Sequence, residues 1–543
     1  MSPHRGFARE TTEPRKRVVA AAPPWWLVGA AVLVVLPFLG KAPAIDEEGY
    51  LWIARNLDVL RPYDWARVWA PYTPDSYGWA HPPLHLLWLK LCTSLTDTSW
   101  LLRALAGLPW VALLAASVAL LAARTCQHPG LAAALWLTSP IVVLGLHDTW
   151  MIDLPAVALA TAAVAAYREG LVDEDGRWFI ASGILLGLAI ETKYTMGVLV
   201  PVLAVHMLRL GPRPGLWAAA AAVVLVVEAP LWFLYGRVHP WEVFVRREEI
   251  EAGGLAGRVL GTLTRAALLG LPLVLVRTAP ALVGGGFAVG LVAVLAARPR
   301  EMAVTTSTLL VLLAGLGAAL ISRAVAAAVA NPHRRRKGDR GDPLLLGGWV
   351  AAVVLGVIVL HNYASARYLL PAAAPAALLL ARSGEEASWG KALVRASAGI
   401  MAVLAAILAV ADYRFAAAGD EVAHGAVAAA AEAGGAPGRF AGEWSFRGAM
   451  ESAGWTRYRP DEALPAGTWV VVADNASAGT VATDVLEPVR RVASEDTFPV
   501  RVVDLAGNVG LYAETLGMLP FGVRRGPLES ATLYRVRGTP EAP

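Results

Sequence analysis

The chain is 543 residues long, 56% hydrophobic and only 17% charged, with a mean hydropathy of +0.52. That balance excludes a soluble globular protein and describes a polytopic membrane protein. The net charge of +4 is small and scattered over loop ends, so no nucleic-acid partner is expected, and Cys92 and Cys126 stand too far apart in sequence to suggest a disulfide framework or thiolate metal site.

Residues 1–24 carry Arg5, Arg9, Arg15, Lys16 and Arg17 and lead into an apolar run without a small-residue cleavage site. A cytoplasmic tail and a retained signal-anchor helix follow from that pattern. A membrane-spanning helix needs about 17–25 apolar residues, fewer where the protein packs tightly. Thirteen stretches qualify, near 25–40, 102–122, 129–146, 154–167, 178–191, 194–209, 215–235, 260–276, 280–297, 302–322, 343–360, 368–381 and 392–411. The stretch 82–96 is short and opens on Pro82-Pro83, so it reads as an interfacial or re-entrant helix.

This parity places the basic loops Arg124 to His128, Arg209 to Arg213, Arg277 and His333 to Lys337 in the cytoplasm, as the positive-inside bias requires. It places Asp46-Glu47, His81, His147-Asp148, Asp153, Glu191 to Lys193 and His361 to Arg367 together on the outer face. The expected organisation is a membrane domain over 25–411, with a first outer loop at 41–101, followed by a soluble extracytoplasmic domain over 412–543. That last part has turn clusters such as Gly434-Gly435-Ala436-Pro437-Gly438 and β-rich runs such as Thr468 to Val472 and Ala531 to Val536, which predict a small α/β fold. Asn475-Ala476-Ser477 fits a glycosylation sequon, a triplet that is common by chance.

Each outer-face group has a structural and a chemical reading. Asp46-Glu47-Glu48 caps an amphipathic segment along the membrane surface, or holds a proton or a metal ion beside the bilayer. His81-Pro82-Pro83-Leu84 follows an aromatic stretch (Trp65, Trp69, Tyr72, Tyr77, Trp79) that suits interfacial anchoring or stacking on a sugar. His147, Asp148 and Asp153 put two acids and a histidine within seven residues, more than a boundary turn requires. Lys193, one of six lysines, sits in a short turn and offers either a snorkelling amine or an ammonium for a phosphate. His361 and the run Arg367-Tyr368-Leu369-Leu370-Pro371 bring an arginine to the lip of a proline-bent helix, where it grips a phosphate or anchors the helix end.

Taken in order, these motifs resemble the GT-C superfamily of membrane glycosyltransferases. They are most similar to the branch holding protein O-mannosyltransferases and the lipid A aminoarabinose transferase. The resemblance covers about residues 20–410; the tail beyond Asp412 matches no familiar pattern. It implies transfer of a sugar from a polyprenyl-phosphate carrier to an acceptor hydroxyl on a protein, lipid or glycan, on the extracytoplasmic face of a bacterial plasma membrane, with inversion. The chemistry of such a transfer asks for a base at the acceptor and cations at the departing phosphate. Asp46 is then the base or the carboxylate that orients the acceptor, with Glu47 supporting it or joining a divalent cation together with Asp153 or Asp148. Lys193 and Arg367 hold the phosphate, and His81, Tyr368 and His361 belong to the substrate region. The rival readings are a transporter or lipid flippase and a non-catalytic scaffold on the same fold. Transporters place charges at the bilayer midplane and show two similar halves, whereas here the charges gather at one face.

Overall fold

Proline and glycine decide where the apolar runs of this chain break. The computed structural model describes residues 21–63, 82–210, 214–235, 254–297, 304–329, 343–361, 363–459, 462–476, 481 and 484–537. His81, the aromatic stretch from Trp65 to Trp79 and the basic loop His333 to Lys337 lie outside them. The first apolar run forms helix α1 (Trp26–Val35) and then tightens into a 3-10 turn at Leu36–Phe38, where Pro37 removes a backbone donor. Two short helices follow, α2 (Glu47–Asn56) and α3 (Leu84–Leu95), packed against each other. The long α4 (Ser99–Thr125) carries Pro109 within it.

The run 129–146 is one apolar stretch in sequence but two helices in space. α5 (Pro129–Leu137) and α6 (Pro140–His147) meet at a 63° bend. Ser139 is extended (φ −65°, ψ 125°), the conformation favoured before a proline, and its hydroxyl donates to the Leu268 carbonyl at 2.9 Å, which pins the break. The chain continues through α7 (Asp153–Asp173), α8 (Gly176–Ile190), α9 (Leu199–Leu210), α10 (Pro214–Tyr235), α11 (Gly254–Ala266) and α12 (Leu273–Thr278). It then runs through α13 (Pro280–Ala297), α14 (Val304–Val329), α15 (Pro343–Leu360), α16 (Leu370–Glu385) and α17 (Gly390–Glu432). Where α13 crosses α14, a Cβ on Gly290 would stand 2.6 Å from the Gly315 nitrogen, so the two backbones touch through small residues as membrane helices do.

Among the described residues six helices are long and apolar enough to cross a membrane, or seven if the bent pair counts as one span. The chain is an integral membrane protein, and among the described residues its expected spans take several forms. Runs such as 25–40 and 178–191 become helices of 10 and 15 residues, and 260–276 is divided between α11, a 3-10 turn and α12. The last run, 392–411, is only the first half of the 43-residue α17, so the boundary expected at 411/412 falls inside a helix.

Beyond α17 lies a small α/β assembly. Its five-stranded sheet has the order β2-β1-β3-β9-β4, built from β1 (Arg439–Ala441), β2 (Thr456–Arg457), β3 (Trp469–Ala473), β4 (Leu486–Ala493) and β9 (Ser530–Val536). β1 runs parallel to β2 and β3, while β9 runs antiparallel to β3 and β4. Helix α18 (Trp444–Ser452) links β1 to β2, and two small ribbons pair β5 (Val500–Arg501) with β8 (Gly522–Val523) and β6 (Val503–Asp504) with β7 (Val509–Gly510). The second half of α17 packs on β9 and β4, so Val422 and Ala426 share one buried core with Phe440, Val471 and Leu533.

Buried charges tie the short helices to the long ones. Arg103 of α4, with no exposed surface, donates to both carboxylate oxygens of Glu47 at 2.9 and 2.8 Å and to the Lys41 carbonyl at 3.0 Å. One turn on, a Cβ on Gly107 would lie 2.3 Å from Thr149 Cγ2, so glycine lets the turn after α6 settle onto α4. Removing one member of such a pair strands a charge in the interior, a loss of about 3–5 kcal/mol. Arg103→Met is therefore expected to lower the thermal midpoint of the detergent-solubilised protein sharply, and the double variant with Glu47→Gln to recover part of it. Equal midpoints for wild type and Arg103→Met would show that the pair contributes nothing.

Candidate functional site

Asp46 stands at the N-cap position of α2, yet its side chain makes no capping bond to the helix. Instead its Oδ2 accepts from Arg367 Nη2 at 2.9 Å, across 321 residues of sequence. The Asp46 side chain keeps half of its surface exposed while that of Arg367 is 9% exposed, so a fixed guanidinium aims an accessible carboxylate. The same nitrogen of Arg367 donates to the hydroxyls of Tyr363 (3.1 Å) and Tyr368 (3.3 Å), and Tyr368 in turn donates to Tyr363 at 2.8 Å. Arg367 lies in a 3-10 turn just before α16, whose first residues include Pro371.

Lys193 and Asp153 form a second ion pair, set against the Tyr368 ring. Asp153 opens α7, Lys193 opens the turn after α8, and they meet at 2.5 Å with both side chains nearly buried. The Lys193 ammonium sits 4.4 Å from the centroid of the Tyr368 ring, and the Arg367 guanidinium lies 5.1 Å from the same centroid. His361 stacks on that ring at 3.9 Å. Burial pulls the Lys193 amine below its ordinary value, and Asp153 opposes that pull.

Asp46, Tyr363 and Arg367 open onto a cavity of about 340 Å³ whose other wall comes from the C-terminal assembly, through Trp444, Arg447, Arg457 and Tyr512. The loop that carries Arg367 is fastened to that assembly by the backbone. Glu514 N donates to the Ala364 carbonyl at 3.1 Å, Ala366 N donates to the Leu511 carbonyl at 3.1 Å, and Ala364 N donates to the Glu514 carboxylate. Arg265, fully buried on α11, holds the same 510–517 loop by donating to the carbonyls of Gly510, Leu511 and Gly517.

The other expected residues lie elsewhere. Glu47 faces away from the cavity, with no exposed surface, and also accepts from the backbone nitrogens of Ala44 (3.0 Å) and Trp150 (3.3 Å). Burial works to raise its carboxyl, but the Arg103 guanidinium holds it below its ordinary value. Asp148 faces Lys41 at 2.6 Å, and the same ammonium reaches Asp412 at 2.5 Å; the Tyr512 hydroxyl donates to the second oxygen of Asp412. Asp148 and Asp153 thus serve different cations, and Asp153 is the one whose partner, Lys193, meets the Tyr368 ring. His147 is buried and stacked on Phe38 at 4.1 Å, with neither ring nitrogen partnered among the described residues. Among the described residues no three His, Cys, Asp or Glu side chains converge to hold a metal ion. Glu47, Asp148 and Asp153 are each turned to a separate cation, so they do not fit one divalent ion, and the chemistry below is derived without one. Sequence reasoning missed Lys41, Arg103, Asp412 and the wall from Trp444 to Arg457. The scarcity of lysine, six in the chain, is the signal that could have found Lys41, which follows the first apolar run directly.

Residues 80–233 match the family model described as dolichyl-phosphate-mannose-protein mannosyltransferase, a stretch that holds Asp153 and Lys193. The motifs read from the sequence resemble that same family. No curated protein matches the chain by sequence. Among solved structures, ArnT from Cupriavidus metallidurans bound to undecaprenyl phosphate is similar at 17% identity and a TM-score of 0.42, over 73% of this chain and 72% of that one. The same protein in the apo state is similar at 18% identity and a TM-score of 0.33, over 82% and 92%. The oligosaccharyltransferase of Archaeoglobus fulgidus in the apo form is similar at 15% identity and a TM-score of 0.38, over 71% of this chain and 54% of that chain, about half its length.

The Lys41 cluster generates a pH dependence. Burial pushes the Asp148 carboxyl up to about 7, with Asp412 adding to the shift and Lys41 opposing it. An unfolded aspartate ionises near 3.9, so between about 4 and 7 the folded chain binds the extra proton and this group's contribution to stability falls as pH rises. Asp148→Asn mimics the protonated form. Its thermal midpoint in detergent is expected to exceed that of wild type at pH 8, with the difference shrinking toward pH 5; a difference that does not change with pH would show that Asp148 does not titrate in this window.

Proposed function

We propose that the chain is a glycosyltransferase that moves a sugar from a polyprenyl-phosphate carrier to an acceptor hydroxyl at the extracytoplasmic face of the membrane. The observation that carries this reading is the pairing of an exposed carboxylate, Asp46, with a fixed guanidinium, Arg367, at the mouth of one cavity. The family description of residues 80–233 names a lipid-phosphate-linked mannose as donor, and this supports a prenyl-phosphate sugar as the substrate class.

In this mechanism Asp46 takes the proton of the acceptor hydroxyl as its oxygen attacks the anomeric carbon. The bond from that carbon to the phosphate oxygen breaks on the opposite side, and the electron pair leaves with the phosphate. Configuration inverts. General-base assistance of this kind is worth about 10²–10⁴-fold. Arg367, already bonded to Asp46 through Nη2, and Lys193, 4.4 Å from the centroid of the Tyr368 ring, supply positive charge for the departing phosphate. Tyr363 and Tyr368 fix the guanidinium, and Asp153 fixes the ammonium.

Three substitutions test the roles. Asp46→Asn keeps the hydrogen-bonding shape and removes the base, so transfer from undecaprenyl-phosphate mannose is expected to fall by about a hundredfold or more in a membrane that contains normal amounts of protein. Arg367→Lys keeps the charge and loses the two-pronged donor, and Lys193→Met keeps much of the apolar stem and loses the ammonium; both are expected to slow donor consumption. Wild-type rates in all three would assign these residues to packing and anchoring alone.

The face is tested separately. Single cysteines placed at exposed positions of the sheet, such as Val489, are expected to react in intact cells with a membrane-impermeant maleimide, and one at Gly338 to be protected. The reverse pattern would put the cavity in the cytoplasm.

A further inference from the structure

The cavity that holds Asp46 and Arg367 has a second wall, and that wall has a chemistry of its own. It is made by Trp444 and Arg447 of α18, Arg457 of β2, the neighbouring Glu443, and Tyr512. Its cations are already matched by anions. Arg447 donates to Glu443 at 3.2 Å and to Glu451 at 2.9 Å, and Arg457 donates to the other oxygen of Glu443. A phosphate or carboxylate ligand is gripped by guanidinium groups that have their fork to give. Paired guanidinium and carboxylate groups instead offer donors and acceptors side by side without net charge, the inventory that neighbouring hydroxyls require. Two aromatic residues border them, Trp444 and Tyr512, with ring centroids 6.3 Å apart. The parts of these two largely buried rings that reach the cavity lining, beside such polar pairs, suit the mixed apolar and hydroxylated faces of a sugar ring.

Two features of the backbone point the same way. Trp444 has φ +62°, a left-handed conformation that is strained for a bulky residue, and it lies at the cavity edge, where such strain is retained for a site. Gly448, one turn along α18, faces Glu48 of α2; a Cβ there would lie 3.2 Å from the Glu48 carboxyl carbon. Glycine at 448 therefore lets the two walls approach, which sets the width of the cavity. About 340 Å³ lies in the range of about 300–1,000 Å³ typical of small-ligand sites.

We propose that the C-terminal assembly is the acceptor wall of the transfer site, and that the acceptor it receives is an uncharged sugar unit of a glycan or glycoside. This rests on the transferase reading above and names its acceptor class. Trp444 and the Glu443–Arg457 pair hold the sugar so that one of its hydroxyls meets Asp46.

Binding to the full-length protein in detergent tests it, by calorimetry or saturation-transfer NMR, with three probes: p-nitrophenyl mannoside, mannose 6-phosphate and a threonine-containing peptide. The mannoside is expected to bind, the phosphate to bind no tighter, and the peptide to bind more weakly. Arg457→Gln and the milder Trp444→Phe are each expected to weaken mannoside binding by about tenfold, while Val489→Ala, on the exposed face of the sheet, leaves it unchanged. Absence of mannoside binding, equal mannoside affinity in wild type and both wall variants, or clearly tighter binding of the phosphate or the peptide would overturn the proposal. Undecaprenyl phosphate titrated into the same samples reads the donor site independently. Failure of that lipid to bind, with mannoside binding intact and sensitive to Arg457, would sink the transferase reading and leave a sugar-binding wall.

Discussion

A charge carried into the interior of a membrane protein must meet its opposite there, because neither lipid nor packed side chains can solvate it. Here that constraint is densest in one cluster. Arg103 on α4 and Lys41 after α1 answer Glu47, Asp148 and Asp412, five residues from four separate parts of the chain. Satisfying them at once forces the link from α1 to α2, the turn after α6 and the middle of α17 into one neighbourhood. Hydrophobic contact alone would let such elements slide, whereas hydrogen-bonded ion pairs fix both distance and orientation.

The cavity inherits this fixity. Glu47 and Asp46 are adjacent in sequence, and one is locked inward by Arg103 while the other is presented outward to Arg367. The anchored residue sets where the exposed one stands. On the facing side, Arg367 is held by a loop whose backbone pairs with residues 511–514, so the cation of the site is positioned by the C-terminal assembly as much as by α16. Membrane body and C-terminal assembly therefore build the site jointly.

Much of this was legible in the sequence, and the limits have physical causes. The membrane class followed from composition, and the acids and cations of the candidate site were read from their unusual positions at the ends of apolar runs. Asp46 with Arg367 and Asp153 with Lys193 come together as pairs that no local pattern announces. Glu47 is expected from the sequence to support Asp46 or to join a divalent cation; in the fold it pairs with Arg103, 56 residues away on an apolar helix, a partner that no local pattern marks. Lys41 and Asp412 are separated by 371 residues, and nothing in a single sequence couples positions so distant. The form of each span was hidden for a different reason: hydropathy sees apolar length, while Pro140 and the residue before it decide that one such length becomes two helices at an angle.

Helix α17 carries a last consequence. Its 43 residues at about 1.5 Å each make a rod of about 65 Å, roughly twice the 30 Å hydrocarbon depth of a bilayer. One end lies among the apolar helices and the other packs beneath the sheet that supplies the second wall of the cavity. One continuous helix thus belongs to the membrane body and to the C-terminal assembly alike, and along it the two parts are joined by hydrogen-bonded backbone in place of a linker.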